Sequence, residues 1–95
     1  MEERQAYIDR KESERKEIAA KIDVLRAKAA KADADARIAY NEQIDNLTRL
    51  QDKYAARIKE LREAGEEAWQ NIREGVEDAW SELTEGVRKA SEAFK

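Results

Sequence analysis

Apolar residues recur at helical spacing along most of the 95-residue chain. Ile18, Ile22, Leu25, Ala29, Ala32 and Ala36 follow one another at alternating steps of four and three. That heptad spacing keeps one stripe of a helix turned toward a partner. Ala36, Tyr40 and Ile44 then repeat a step of four, a stutter that locally unwinds a left-handed coil. The stripe resumes through Leu47, Leu50, Tyr54, Ile58 and Leu61. Before Ile18 it is thin: Tyr7 and Ile8 are the large apolar residues that follow Met1. Glu12 with Lys16 and Glu17 with Lys21 stand at i,i+4 spacing there, as do Asp33 with Arg37 and Asp45 with Arg49 further on. Such pairs support an exposed helix by a few tenths of a kcal/mol each. The pattern predicts a solvated helix end over residues 1–17, followed by a heptad seam.

From Ala68 the period changes to eleven. Ala68-Trp69-Gln70-Asn71-Ile72-Arg73-Glu74-Gly75-Val76-Glu77-Asp78 is followed by Ala79-Trp80-Ser81-Glu82-Leu83-Thr84-Glu85-Gly86-Val87-Arg88-Lys89, then by a partial copy from Ala90 to Lys95. Ala, Trp, Ile or Leu, Gly and Val recur in register. Walked backwards, Trp69 maps to Ile58 and Leu47, and Ile72 maps to Leu61 and Leu50. Eleven residues in three turns is about 3.67 per turn, close to a straight helix. The apolar stripe therefore stays on one face.

Gly65 is the expected break, because glycine is the favoured residue just past a helix end. Glu66 and Glu67 suit the first turn of a following helix. A second candidate break is Lys31–Ala36, where Asp33 or Asp35 could cap a new N-terminus. That segment has no Gly, Pro or Asn, and its alanines favour continued helix. The expected fold is all-α: one heptad-patterned helix over residues 1–64, roughly 90 Å long at about 1.5 Å per residue, and an amphipathic Ala-Trp repeat helix over residues 65–95, together a helical hairpin or coiled coil. The alternative is a three-helix bundle. Gly75 and Gly86 cost a helix interior about 1 kcal/mol each against alanine, and are expected to serve close helix approach or to make room for the indoles.

Composition narrows the function. Charged residues are 43% of the chain with a net charge of only -3, there is no proline, and the apolar stripe is too regular for a disordered chain. Many apolar residues are alanines, which bury little area each, so stability is expected to need a long seam, an oligomer, or both. Cysteine and histidine are absent, which removes disulfides and zinc or copper sites built on them. No apolar run reaches the ~20 residues of a membrane span. The charged start Met1-Glu2-Glu3-Arg4-Gln5 leads into no apolar h-region, and a cytoplasmic location is expected.

Carboxylates are numerous, and pairs such as Glu66-Glu67 or Glu77-Asp78 read as a solvated face. Ser13, Ser81 and Ser91 have no histidine to activate them. No catalytic, metal or cofactor site is expected. Residues 1–65 carry 15 basic and 14 acidic side chains, and residues 66–95 carry 4 and 8, so nucleic acid is not an expected partner.

The 11-residue amphipathic repeat over residues 46–94 resembles that of exchangeable apolipoproteins in period and stripe. The run Ala32-Asp33-Ala34-Asp35-Ala36-Arg37-Ile38-Ala39-Tyr40, with the Ala-Trp and Gly-Val repeat, resembles small bacterial coiled-coil proteins of unknown function, which implies a helical fold and no activity. The expected function is structural: homo-oligomerisation, or docking to another helical protein, through Ile18, Ile22, Leu25, Tyr40, Ile44, Leu47, Tyr54, Ile58, Leu61, Trp69, Ile72, Val76, Trp80, Leu83, Val87 and Phe94. Tyr40 and Tyr54 are expected to fill the seam with their hydroxyls in solvent. The alternative is an amphipathic surface for neutral lipid, carried by Trp69, Ile72, Val76, Trp80, Leu83, Val87 and Phe94.

Overall fold

A computed structural model describes residues Glu2–Phe94, with the side chains described from Glu3 onward, and resolves the choice between two helices and three. Three helices run in order: α1 (Glu2–Lys31), α2 (Ala34–Glu63) and α3 (Glu66–Ala93). The two connections are two residues each, so α2 runs antiparallel to α1 and α3, in a bundle about 50 Å long and 18 Å across. The expected continuous helix over residues 1–64 is interrupted at Ala32–Asp33, and the all-α alternative is the observed one.

The interruption has a local chemistry. Asp33 is extended (φ -68°, ψ 171°), and its carboxylate accepts from the Ala36 N–H at 3.0 Å, so this aspartate caps α2 and Asp35 lies in the first turn. Such a cap contributes about 1 kcal/mol. Arg37 donates to the Ala32 carbonyl at 3.0 Å, closing the other side of the turn. Breaking the helix lets its stripe fold onto itself, and each large side chain buried that way contributes about 1.5–3 kcal/mol. The apparent stutter at Tyr40 is thereby explained: Ala36 and Tyr40 begin a new helix whose register owes nothing to α1.

The second turn corrects the reason for Gly65 but not its place. Gly65 is extended (φ -76°, ψ 169°) and serves as the N-cap of α3, without a left-handed conformation. A Cβ there would meet no atom within 4 Å. The end of α2 is closed instead by Arg4, which donates to the carbonyls of Leu61 (3.0 Å) and Ala64.

All three helices converge on one core. Ile22, Leu47, Tyr54, Leu61, Val76 and Leu83 are fully enclosed. Residues 2–17 also belong to it: Tyr7, Ile8 and Lys11 are buried, which corrects the expectation of a solvated end. Extending the heptad back from Ile18 lands on Arg15, Lys11, Ile8 and Arg4, so polar residues occupied stripe positions and hid them. None of the four expected i,i+4 charge pairs forms among the described residues. Glu12 bridges Arg15 and Arg62 at 3.0 Å each, Asp33 caps, and Arg49 donates to the Asn46 side-chain oxygen at 2.7 Å rather than to Asp45.

The glycines of the repeat differ. A Cβ on Gly86 would stand 3.0 Å from Leu47 Cδ2 and 3.3 Å from Leu50 Cδ1, so α3 comes close to α2 there. At Gly75 the nearest atoms belong to the flexible Arg57 side chain, 3.7 Å away. Gly75→Ala is therefore expected to stabilise the bundle by about 0.5–1 kcal/mol through helix propensity. Gly86→Leu is expected to cost about 1–3 kcal/mol by overpacking. Thermal unfolding of the two variants checks both signs; a gain from Gly86→Leu would mean the α2–α3 approach is looser than described.

Candidate binding groove between α1 and α3

The predicted interaction face meets itself. Ile18, Ile22, Leu25, Ile44, Leu47, Tyr54, Ile58, Leu61, Val76, Leu83 and Val87 are buried in the core, while Tyr40, Trp69, Ile72, Trp80 and Phe94 pack against it half-buried. The aromatic residues pair within the chain. Tyr40 stacks on Phe94 at 3.7 Å between centroids, Trp80 tilts against Tyr54 at 5.2 Å, and Trp69 meets Tyr7 edge-on at 5.6 Å. Tyr54 is not a filler with a wet hydroxyl: it is fully enclosed and its OH donates to the Lys11 carbonyl at 3.4 Å. Contact of the Trp69–Phe94 face with lipid would require α3 to leave the bundle.

The seams are unequal. α2 packs extensively on both neighbours, whereas α1 and α3 approach each other least. Where the N-terminal ends of α1 and α3 lie side by side, their seam opens into a groove of about 520 Å³. Tyr7 and Trp69 line it with Arg4, Arg10 and Arg73; Ala6 and Gln70 complete its walls, and Glu3 and Glu66 flank it. The size falls within the range of ligand sites, about 300–1,000 Å³. A second groove, about 430 Å³ between α1 and α2, is lined by Arg26, Ala29, Ile44, Thr48 and their neighbours and holds no aromatic ring.

The aromatic lining is held in place from behind. The Tyr7 hydroxyl donates to Glu77 at 2.5 Å, and the same carboxylate takes the Lys11 ammonium at 3.1 Å. Lys11 is only 4% exposed; it also pairs with Glu14 at 3.2 Å and lies over the Tyr7 and Trp80 rings at about 5.5 Å. Burial and the facing Glu77 carboxylate push the Tyr7 phenol well above its ordinary value, so it stays a donor. Partial burial would raise the Glu77 carboxyl, but hydrogen bonds from Tyr7 and Lys11, together with the charges of Lys11 and Arg73, outweigh it and hold the group below the usual carboxylate range.

On the open side, guanidinium groups lie over the rings. Arg73 is 4.9 Å from the Tyr7 ring and 5.5 Å from Trp69, Arg10 is 5.3 Å from Tyr7, and Arg4 is 5.8 Å from Trp69. Arg4 is committed to the end of α2. Arg10 and Arg73 form none of the ion pairs found among the described residues. The Trp69 indole N–H is buried with no hydrogen-bond partner among them. A buried unpaired donor costs about 1–3 kcal/mol.

Of this site, sequence periodicity singled out Trp69 alone. Tyr7, Arg4, Arg10 and Lys11 fell in the expected solvated end over residues 1–17, Glu77 read as part of a solvated face, and Arg73 was not singled out. The signal that was present is the heptad continued back through Lys11. No group of His, Cys, Asp or Glu among the described residues is arranged to hold a metal ion, and no described helix is long and apolar enough to cross a membrane. No protein-family model matches the chain, and no curated protein or solved structure is significantly similar to it.

Proposed function

We propose that this chain is a non-catalytic binding module, a three-helix bundle that docks a protein partner in the groove between α1 and α3. The observation that carries this reading is the contrast between the two kinds of apolar surface. The long stripe is consumed in the chain's own core, while the half-buried Trp69, beside the edge of the buried Tyr7 ring, borders an open groove under the guanidinium groups of Arg10 and Arg73. Aromatic rings and arginine together, on a rigid backing, are what binding hot spots are made of. The enclosed stripe also supports a monomer over an obligate oligomer.

Sedimentation over about a hundredfold range of concentration is expected to show a monomer throughout, since a self-contained fold does not depend on protomer concentration. A photoreactive residue at Gln70, in the groove, is expected to give a discrete protein adduct in the native cell. The same residue at Lys21, exposed on α1, is expected to give none. Equal labelling from both positions, or a dimer that persists on dilution, would count against this function.

A further inference from the structure

We infer that the groove takes an acidic segment of its partner, an aspartate or glutamate carried beside an apolar or aromatic residue; this rests on the binding-module reading above. Arg10 and Arg73 are the two groove cations that neither an ion pair nor the end of α2 engages, and both already lie over the Tyr7 ring. Guanidinium groups bind carboxylates through paired charge-assisted N–H donors. The Trp69 indole N–H lacks an acceptor, and Arg73 lies over that ring. As Arg73 swings toward an incoming carboxylate, the indole is uncovered and its N–H gains an oxygen acceptor. The apolar neighbour of the acid then lies against Trp69, at the edge of the buried Tyr7 ring.

The surrounding charges also bear on the partner. Glu3 and Glu66 at the groove offset part of the positive charge of Arg4, Arg10 and Arg73, leaving the site modestly cationic. The exposed face of α3 carries Glu66, Glu67, Glu74, Asp78 and Glu85, which disfavours approach to an anionic bilayer. A partner side chain can enter between the two helices where a flat bilayer cannot.

The test uses the full chain labelled with ¹⁵N, with the two indole N–H signals assigned through Trp69→Phe. The probe is a blocked tetrapeptide of aspartate, phenylalanine, glutamate and leucine, compared with its asparagine and glutamine counterpart. The acidic peptide is expected to move the Trp69 indole signal downfield, to bind about tenfold or more tightly than the amide peptide, and to weaken with added salt. Arg73→Gln, and independently Arg10→Gln on the outer side, should each reduce that affinity severalfold while leaving the remaining spectrum in place. If both peptides bind equally and both depend on Arg73, the groove is a docking site but its acidic preference is wrong. If the acidic peptide binds without moving Trp69 and without regard to either arginine, the groove itself is refuted. A Trp69 shift produced by phosphatidylglycerol vesicles and by neither peptide would replace the peptide partner with a lipid surface. Concentration-dependent shifts of the chain alone would replace it with a second copy.

Discussion

Replacing Tyr54 by alanine is expected to remove about 3–5 kcal/mol of stability, out of the 5–15 kcal/mol that domains of this kind possess. Tyr54 is the largest fully enclosed side chain and lies in the C-terminal half of α2, where it meets Trp80 of α3 and the backbone of α1 at Lys11. One truncation thus removes contacts to both other helices, and the stiff bundle can collapse only in part around the space left behind. Tyr54→Phe separates ring from hydroxyl. Its bond to the Lys11 carbonyl is long at 3.4 Å, so its loss is expected to cost less than about 1 kcal/mol. Urea unfolding followed by helical circular dichroism measures both, read as a shift in midpoint at constant slope. A Tyr54→Ala variant within about 1 kcal/mol of the parent would mean that the helices do not meet around this ring.

The second large effect is expected at Glu77, and its sign is informative. Glu77→Ala takes one of two carboxylates from the buried Lys11 ammonium and the acceptor from the Tyr7 hydroxyl, at an expected cost of about 1–3 kcal/mol. The value is set below that of a fully buried pair because the Glu77 side chain is 47% exposed. Lys11→Met removes the charge and keeps the length of the side chain. It is expected to be neutral or stabilising, and to make a second change at Glu77 cost less than in the parent, because only the Tyr7 hydroxyl, and no buried ammonium, then loses its partner. The pH dependence follows from the depressed Glu77 carboxyl. Its stabilisation is fully present above the unfolded-state carboxylate value of about 4.3 and is lost as pH falls through the lower folded value. The gap between the parent and Glu77→Ala should therefore be wide at neutral pH and close in acid. Denaturant titrations at the two conditions check this, and a gap unchanged in acid would show that the loss was one of packing alone.

The sequence expectations and the fold part company at particular residues. The 3.6-residue recurrence of Ile18, Ile22 and Leu25, of Leu47, Tyr54 and Ile58, and of Val76, Leu83 and Val87 marked the helices and their inward faces. Every residue of the predicted face lies in or against the core. What the pattern could not tell was whose core it would be. A stripe specifies that a face must be covered, and a second copy, a partner or the next helix of the same chain covers it equally well.

Helical state and inward face were legible because each follows from interactions within about four residues along the chain: backbone hydrogen bonds, side-chain propensity and side-chain direction. The break at Ala32–Asp33 was visible only as a candidate cap at Asp33 or Asp35, and the choice for it was not, because local preference there favours continued helix by a few tenths of a kcal/mol per alanine. Folding back wins through burial of Tyr7, Ile8 and Ile18 against residues distant in sequence, at about 1.5–3 kcal/mol for each large side chain. The groove belongs to that same long-range order. Tyr7 and Trp69 are neighbours only because two reversals return α3 to the side of α1. Lys11 reads as a surface charge until Glu77, brought in by the same reversals, makes its burial tolerable.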